Sequence, residues 1–394
     1  MRKILDTRKL VTLPVFALVA LALIAAGCGS SSKSSSGSTT TANAGGGSST
    51  ACQSQADKLV AQQKQDVAWG NPGPAFDLSK AKGKTIYWIS LNADIPFTQS
   101  VFAGFKEAAQ QAGVKFVFFN GQGNASEESR GVQQAIAAKA DLIMIQSIAI
   151  PQISAAVRQA NQANIPVVEA FNTDAGGAPD QGTQAAVTYD YTGAGRYIAD
   201  DAIRISNCKV NAVIFSVSDE SIAPFEVNGM KQELQKLCPS TCTSTTQDAK
   251  IPEWSTRLPV LAGNAVASPK VNWLLPLYDG MTQFTDPAIK QAGASDRVKV
   301  GSYNASKGIV DQLANSSDPL TIDVGSSLEW SGWAIADQSF RVLAGVQPVK
   351  DEKIPLRTFD KENISQIDLS KPEATWYGTK TDFKGEYRKL WNLG

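Results

Sequence analysis

The 394-residue chain has no histidine, and its 37 basic and 37 acidic side chains cancel. Without an imidazole there is no Ser-His-Asp or Cys-His nucleophile, no histidine acid–base chemistry and no histidine-ligated metal. Without a net positive field the chain is a poor nucleic-acid binder. No apolar run beyond the N-terminus reaches the 18 residues of a membrane span. Cysteine is scarce, at five. What is present is 43% apolar and 8% aromatic residues, in a chain longer than one hydrophobic core usually serves, so two globular lobes are expected.

The first ten residues carry Arg2, Lys3, Arg8 and Lys9 against Asp6, and a short apolar stretch from Val11 to Ala26 follows. A basic start, an apolar stretch and small residues before a cleavage point describe an export signal, residues 1–27. The ending Ala25-Ala26-Gly27-Cys28 resembles the lipobox of bacterial lipoproteins, which implies that Cys28 is lipidated and becomes the mature N-terminus; the alternative is an ordinary cleaved signal. Of the 22 residues from 29 to 50, 18 are Ser, Thr or Gly. Such a stretch cannot bury a core and is expected to be flexible coil, a tether over 28–50 reaching roughly 25 Å. Beyond residue 27, 33 basic residues face 36 acidic ones. That balance offers anionic lipid no attraction, so attachment at the membrane rests on the lipid.

Cys52, Cys208, Cys238 and Cys242 remain, and an even number in an exported chain favours disulfides. Four cysteines allow three pairings. We expect Cys208 to bond Cys238 or Cys242, because these would lie at the start of one strand and beyond the end of the next helix. No metal site or cofactor is expected.

From Lys84 onward short apolar strands alternate with amphipathic helices, the pattern of parallel sheets flanked by helices. Strands are expected at Thr85–Ile89, Phe116–Phe119, Leu142–Ile145 and Pro166–Val168, then at Val210–Phe215, Thr243–Gln247, Trp273–Leu275 and Val298–Val300. A last stage runs from Leu320 through a helix at Trp330–Leu343 to a strand near Ile354–Phe359. The fold class is α/β: two Rossmann-like lobes joined by a three-segment hinge. After an N-terminal extension (51–83), lobe 1 is expected to comprise 84–190 with 326–355, and lobe 2 to comprise 191–325 with 356–394.

Five stretches in register resemble the ribose-binding-like periplasmic proteins, the type I solute-binding components of sugar ABC importers. They are Ile95-Pro96-Phe97-Thr98, Ala160-Asn161-Gln162-Ala163-Asn164-Ile165-Pro166-Val167-Val168, Asp190 to Gly195, Leu277-Tyr278-Asp279-Gly280-Met281 and Gly332 to Gly345. The likeness runs from Lys84 to Lys361. Asp323-Val324-Gly325-Ser326, Trp330-Ser331-Gly332-Trp333 and Tyr387-Arg388-Lys389-Leu390-Trp391 are similar to sugar and polyol binders of actinobacterial type. The resemblance implies a type I periplasmic-binding-protein fold, no enzymatic activity, a monomer, and a ligand held between the lobes at the carboxyl ends of the strands, where open α/β sheets generally bind.

Carried over position by position, the implied contacts are Phe97, Thr98, Phe171, Asn172, Trp254, Tyr278, Tyr303, Asn304 and Ser326, with Asn92 and Asp94 as further polar contacts. Charged groups that clamp ribose in the family are replaced by Phe171-Asn172 and by Pro224-Phe225-Glu226. A cleft with less charge and more aromatic surface points to a small neutral ligand: a sugar, polyol or deoxysugar, or else a compact ring compound. The implied partner is an ABC permease at the outer face of the cytoplasmic membrane; the alternatives are a membrane receptor served by a sensing protein, and a hydrolase, which the missing histidine disfavours.

Other groups have plainer readings. Trp88, Phe116, Phe118 and Phe119 are expected in the core, and Trp330 and Trp333 against a sheet. Glu127-Glu128 and Asp200-Asp201 are expected on solvated or lobe-surface faces, and Gly121-Gln122-Gly123 in a turn.

Overall fold

A computed structural model describes residues 44–378 and 381–393. The expected signal peptide, Cys28 and the tether up to residue 43 lie outside the described residues. Helix α1 (Ala44–Gln63) takes up the last seven residues expected to be coil. What holds it is a stripe of one residue per turn, Cys52, Ala56 and Val60, buried against α5 (Tyr191–Ile205).

The first sheet runs β2-β1-β3-β4-β5, all parallel, with β1 Thr85–Ser90, β2 Lys115–Asn120, β3 Leu142–Gln146, β4 Val167–Asp174 and β5 Ala185–Tyr189. Three of its helices are α2 (Pro96–Ala112), α3 (Ala125–Ala137) and α4 (Ser154–Gln162). Local signals set their ends. Gly113, at φ +68°, closes α2 in the left-handed region that suits glycine, and Asn124 accepts the Ser126 and Glu127 amides at the start of α3. Strands β1 and β3 are mostly apolar because both faces are covered, and Trp88 is fully buried. Strand β2 is the sheet's edge. Phe116, Phe118 and Phe119, expected in the core, are therefore only partly buried.

The second sheet runs β11-β10-β9-β8-β6-β7, parallel except for β11. Its strands are β6 Asn211–Ser216, β7 Thr243–Asp248, β8 Trp273–Pro276, β9 Lys299–Tyr303, β10 Leu320–Ser326 and β11 Leu356–Asp360. With α5 go α6 (Ala223–Leu237), α7 (Trp254–Val266) and α8 (Thr282–Gln291). Helix α9 (Leu328–Ala344) returns to the first lobe and packs on α2 and β5.

The three crossings lie at Asp190, at Ser326–Ser327 and between Gly345 and Leu356. Two flanking segments join them. The stretch after α1 carries Trp69 onto Trp330 and Tyr387, and the tail after β11 ends in α10 (Phe383–Leu390), packed on α9. The lobe 2 boundary of 356–394 thus needs correcting: α10 sits with the crossing helix of lobe 1. Trp330 and Trp333 are buried as expected, but they stack on Trp69, Phe383 and Trp391 of the terminal segments, where a sheet was expected.

The disulfides are Cys52–Cys208 and Cys238–Cys242. The expected bond from Cys208 to Cys238 or Cys242 is incorrect. Docking of α1 along α5 brings Cys52 to the end of that helix, and the turn after α6 brings Cys238 and Cys242, four residues apart, together. Asp200, Asp201 and Glu128 are also buried, against expectation. Asp201 accepts Arg204 Nε at 2.6 Å, and Asp200 accepts Gln63 Nε2 at 2.7 Å, so the pair fastens α5 to itself and to α1. Among the described residues no helix is long and apolar enough to cross a membrane.

Candidate functional site

In each sheet the strand order reverses at one place, between β1 and β3 in the first and between β6 and β8 in the second. Loops leaving such a switch point part to either side and open a crevice at the carboxyl ends of the strands. Those loops meet here. The cleft holds about 610 Å³ of empty space, solvent at its mouth included, and takes Leu91 and Ser147 from the first sheet's switch point and Glu220 and Tyr278 from the second's.

On the first lobe, Pro96 starts α2 and sets Phe97 and Thr98 at the rim. Proline suits this place because the first amides of a helix have no partner to lose. Thr98 Oγ1 accepts Gln146 Nε2 at 3.3 Å, and Gln146 Oε1 accepts Trp88 Nε1 at 3.2 Å, so a core tryptophan fixes a lining hydroxyl through one amide. The Phe97 ring meets Phe171 edge-on at 5.4 Å.

On the second lobe, Trp254 begins α7 and its Nε1 donates to the Ala249 carbonyl at 3.1 Å, which leaves the indole beside Tyr278, centroids 6.3 Å apart. Tyr278 donates its hydroxyl to Glu220 Oε2 in a short hydrogen bond. Asp279 accepts the Ser306 amide at 2.6 Å and the Ser306 hydroxyl at 3.2 Å, tying the loop after β8 to the loop after β9, where Asn304 lines the cleft.

Five expected residues, Phe97, Thr98, Trp254, Tyr278 and Asn304, line the cleft. Six do not. Phe171, at φ +67°, stacks on Tyr189 at 4.5 Å behind Phe97, and Tyr303 donates to Ser326 Oγ at 3.2 Å beneath Tyr191. Asn172 is buried and donates to Glu169 Oε2 at 2.8 Å; its carbonyl accepts Ser221 Oγ at 2.6 Å, a direct bond between the lobes. Asn92 accepts the Asp94 amide in a local turn, and Asp94 is exposed. Tyr191, Glu220 and Asp279 were missed as lining residues. Tyr191 and Asp279 stand inside stretches singled out by resemblance; Glu220 stands in a polar loop whose only signal was its place after a strand.

The electrostatics contradict the expected loss of charge in one respect: the lining has no Lys or Arg among its described residues, but it has the carboxyls of Glu220 and Asp279. Burial pushes Glu220 up to about 7 against the opposing effect of the Tyr278 hydrogen bond, and Asp279 up to about 6 against its bonds from Ser306. Behind them Glu226, in the first turn of α6, is fully buried. It is there because α5 and α6 approach closely: a Cβ at Gly195 would collide with the Glu226 carbonyl, and one at Gly229 with the Thr192 carbonyl. Burial, and then the charge of Glu220, raise the Glu226 carboxyl well above the usual range.

Comparisons with known proteins agree with this architecture. The 5-methylthioribose transporter solute binding protein from Thermotoga lettingae superposes with a TM-score of 0.68 at 15% identity, over 79% of this chain and 100% of its own. A solute binding protein from Bacillus halodurans with bound myo-inositol gives 0.63 at 18% identity, over 73% of this chain and 97% of its own. An ABC sugar transporter subunit from Rhodobacter sphaeroides gives 0.64 at 16%, over 72% and 99%. No curated protein matches by sequence. The family model described as "Periplasmic binding protein domain" matches residues 86–347, from β1 to just past α9. The chain belongs to the periplasmic binding protein family, whose members work outside the cytoplasm and bind solutes without turning them over.

Proposed function

We propose that this protein is a lipid-anchored extracytoplasmic solute-binding protein that captures a small sugar-like molecule and delivers it to an ABC permease. The observation that carries the reading is the meeting of both sheets' switch-point loops in one cleft, with Phe97 and Thr98 facing Trp254, Tyr278 and Asn304 from the other lobe. A ligand touching both walls makes more contacts in the closed form than in the open one, and that difference shifts the lobes toward closure. Aromatic faces suit the C–H surface of a sugar or polyol frame, and Thr98 and Asn304 suit its hydroxyls. The ligands named for similar structures, among them allitol, myo-inositol and 5-methylthioribose, support this class.

A thermal-shift screen of sugars, polyols, deoxysugars and small ring compounds tests the capture step, since a ligand at 100 times its Kd adds about 2.7 kcal/mol to stability. Any true ligand should lose affinity in Trp254→Ala. A screen with no shift anywhere would reject the reading. For the anchor, Cys28→Ala should release the protein from the membrane fraction into the medium.

A further inference from the structure

Resting on the solute-binding reading above, we propose that the cleft's ligand is sugar-like in frame but carries a protonated amine, as in an amino sugar or aminopolyol, and that Glu220 receives that cation among Tyr191, Tyr278 and Trp254, with the buried carboxyl of Glu226 behind it.

The sign of the cleft is the first ground. A sugar site for neutral hydroxyls can use either guanidinium donors or carboxylate acceptors. This one has Glu220 and Asp279 in its lining, with no lysine or arginine among the described lining residues. Asp279 is already committed, since Ser306 fills it through both amide and hydroxyl. Glu220 holds only the Tyr278 hydroxyl on one oxygen, and the residue keeps part of its surface open to the cleft.

Glu226 is the second and independent ground. It is 0% exposed, and among the described residues neither of its carboxyl oxygens has a hydrogen-bond partner and it enters no ion pair. Burying such a group unpaired is costly, and a buried polar atom without a partner points to a missing one. Its carboxyl interacts electrostatically with Glu220, Tyr191 and Tyr278, three lining residues, and with Tyr303 beneath them. Asp201 and Asp337, equally buried, each hold an arginine at 2.6 and 2.5 Å. Glu226 holds none.

The aromatic walls are the third. An ammonium is attracted to the negative face of Trp or Tyr, and carboxylates beside such faces form the usual receptor for an amine. Trp254 and Tyr278 stand side by side, and Tyr191 lines the same cleft.

The test is isothermal titration calorimetry on the full exported chain. The probes are galactosamine, glucosamine and 1-amino-1-deoxysorbitol against galactose, glucose and sorbitol, with the N-acetylated sugars as uncharged controls. At least one amine is expected to bind about tenfold or more tighter than its hydroxyl parent and its N-acetyl form, the change that one new charge-assisted contact brings. That preference should disappear in Glu220→Gln and shrink in Glu226→Gln; two variants guard against one failing to fold, which circular dichroism would reveal. If a neutral sugar or polyol binds and its amine binds no better, the inference is overturned while the solute-binding reading stands. If the amine preference persists in both variants, the assignment to these carboxyls is overturned. If neither these probes nor the broad screen binds, both readings fall.

Discussion

Asp337 and Glu352, on the hinge side of the molecule, are as deeply buried as Glu226 behind the cleft, yet they are equipped quite differently. Asp337 takes Arg341 Nε at 2.5 Å on one oxygen and Trp391 Nε1 at 2.6 Å on the other, while Glu352 accepts Tyr387 at 2.9 Å. Arg341 also lies over the Phe76 ring at 4.6 Å, so the cluster gathers α9, α10 and the N-terminal extension around one internal cation. Around Glu226 there are tyrosines and another carboxyl, and among the described residues no cation pairs with it. A buried acid with its own arginine is a fastening. One without an internal counter-charge is compatible with the ammonium proposed above.

If that contrast is sound, the largest effect comes from breaking the fastening. Arg341→Met should cost about 3–5 kcal/mol, because it strands Asp337 without its charge partner. Urea denaturation measures this; a loss below about 1 kcal/mol would mean that the hinge cluster does not depend on its ion pair.

The disulfides sharpen the same contrast between holding the body together and shaping the cleft. Cys52–Cys208 closes a loop of 156 residues and fastens α1 to the second lobe, whereas Cys238–Cys242 spans four. Loop-closure entropy grows with loop length, so Cys52→Ser should cost about 2–4 kcal/mol and Cys238→Ser clearly less. Equal losses would break the argument. A non-reducing digest should also link the Cys52 peptide to the Cys208 peptide.

A third effect belongs to the cleft. Trp254→Ala should lower ligand affinity about 10- to 100-fold, roughly 1.4–2.8 kcal/mol, while leaving the melting temperature of the unliganded protein close to its original value. The half-buried indole donates to the Ala249 carbonyl at the edge of the core. A large fall in melting temperature would move Trp254 from the cleft's side of the comparison to the other.

How much of this could be read from sequence differs by residue, for physical reasons. Phe97, Trp254 and Tyr278 were legible because each stands just past a strand's carboxyl end or at a helix start, where an α/β sheet puts its ligand loops. Tyr303 and Ser326 also stand at strand ends, and Phe171 stands inside the irregular last part of β4. Their failure to reach the cleft depends on which way each side chain leaves the pleat and, for Phe171, on a left-handed backbone at φ +67° that turns the ring onto Tyr189. Strand β5 was missed because Ala185-Ala186-Val187-Thr188-Tyr189 is short and weakly apolar; it is held by its register on β4, a partner remote from any local pattern. The Cys52 bond needed the docking of α1, whose first turns are mostly Gly and Ser and carry little helical signal. The edge position of β2, which half-exposes its phenylalanines, follows from strand order and from nothing within the strand.

The smallest effect is the most discriminating. In the unliganded protein Glu226→Gln should change stability by no more than about 1 kcal/mol near pH 5, since no cation is stranded and both forms are then uncharged. The difference should turn in the variant's favour as pH rises. The sign follows from linkage: folding raises the pKa of both cleft acids, Glu220 from 4.5 to about 7 and Glu226 also upward, so in that range the folded state holds more protons than the unfolded state. Stability linked to these groups is fully present below about pH 4.5 and declines as pH climbs through 7, when ionisation places charge in the cleft without a counter-ion. Glu226→Gln and Glu220→Gln should each flatten that decline, whereas Asp337→Asn should lower stability at neutral pH because it leaves Arg341 without its carboxylate inside the protein. Denaturation curves at pH 5, 6, 7 and 8 separate the cases. If Glu226→Gln behaved like Asp337→Asn, Glu226 would have a partner of its own, and the two acidic clusters would do the same job.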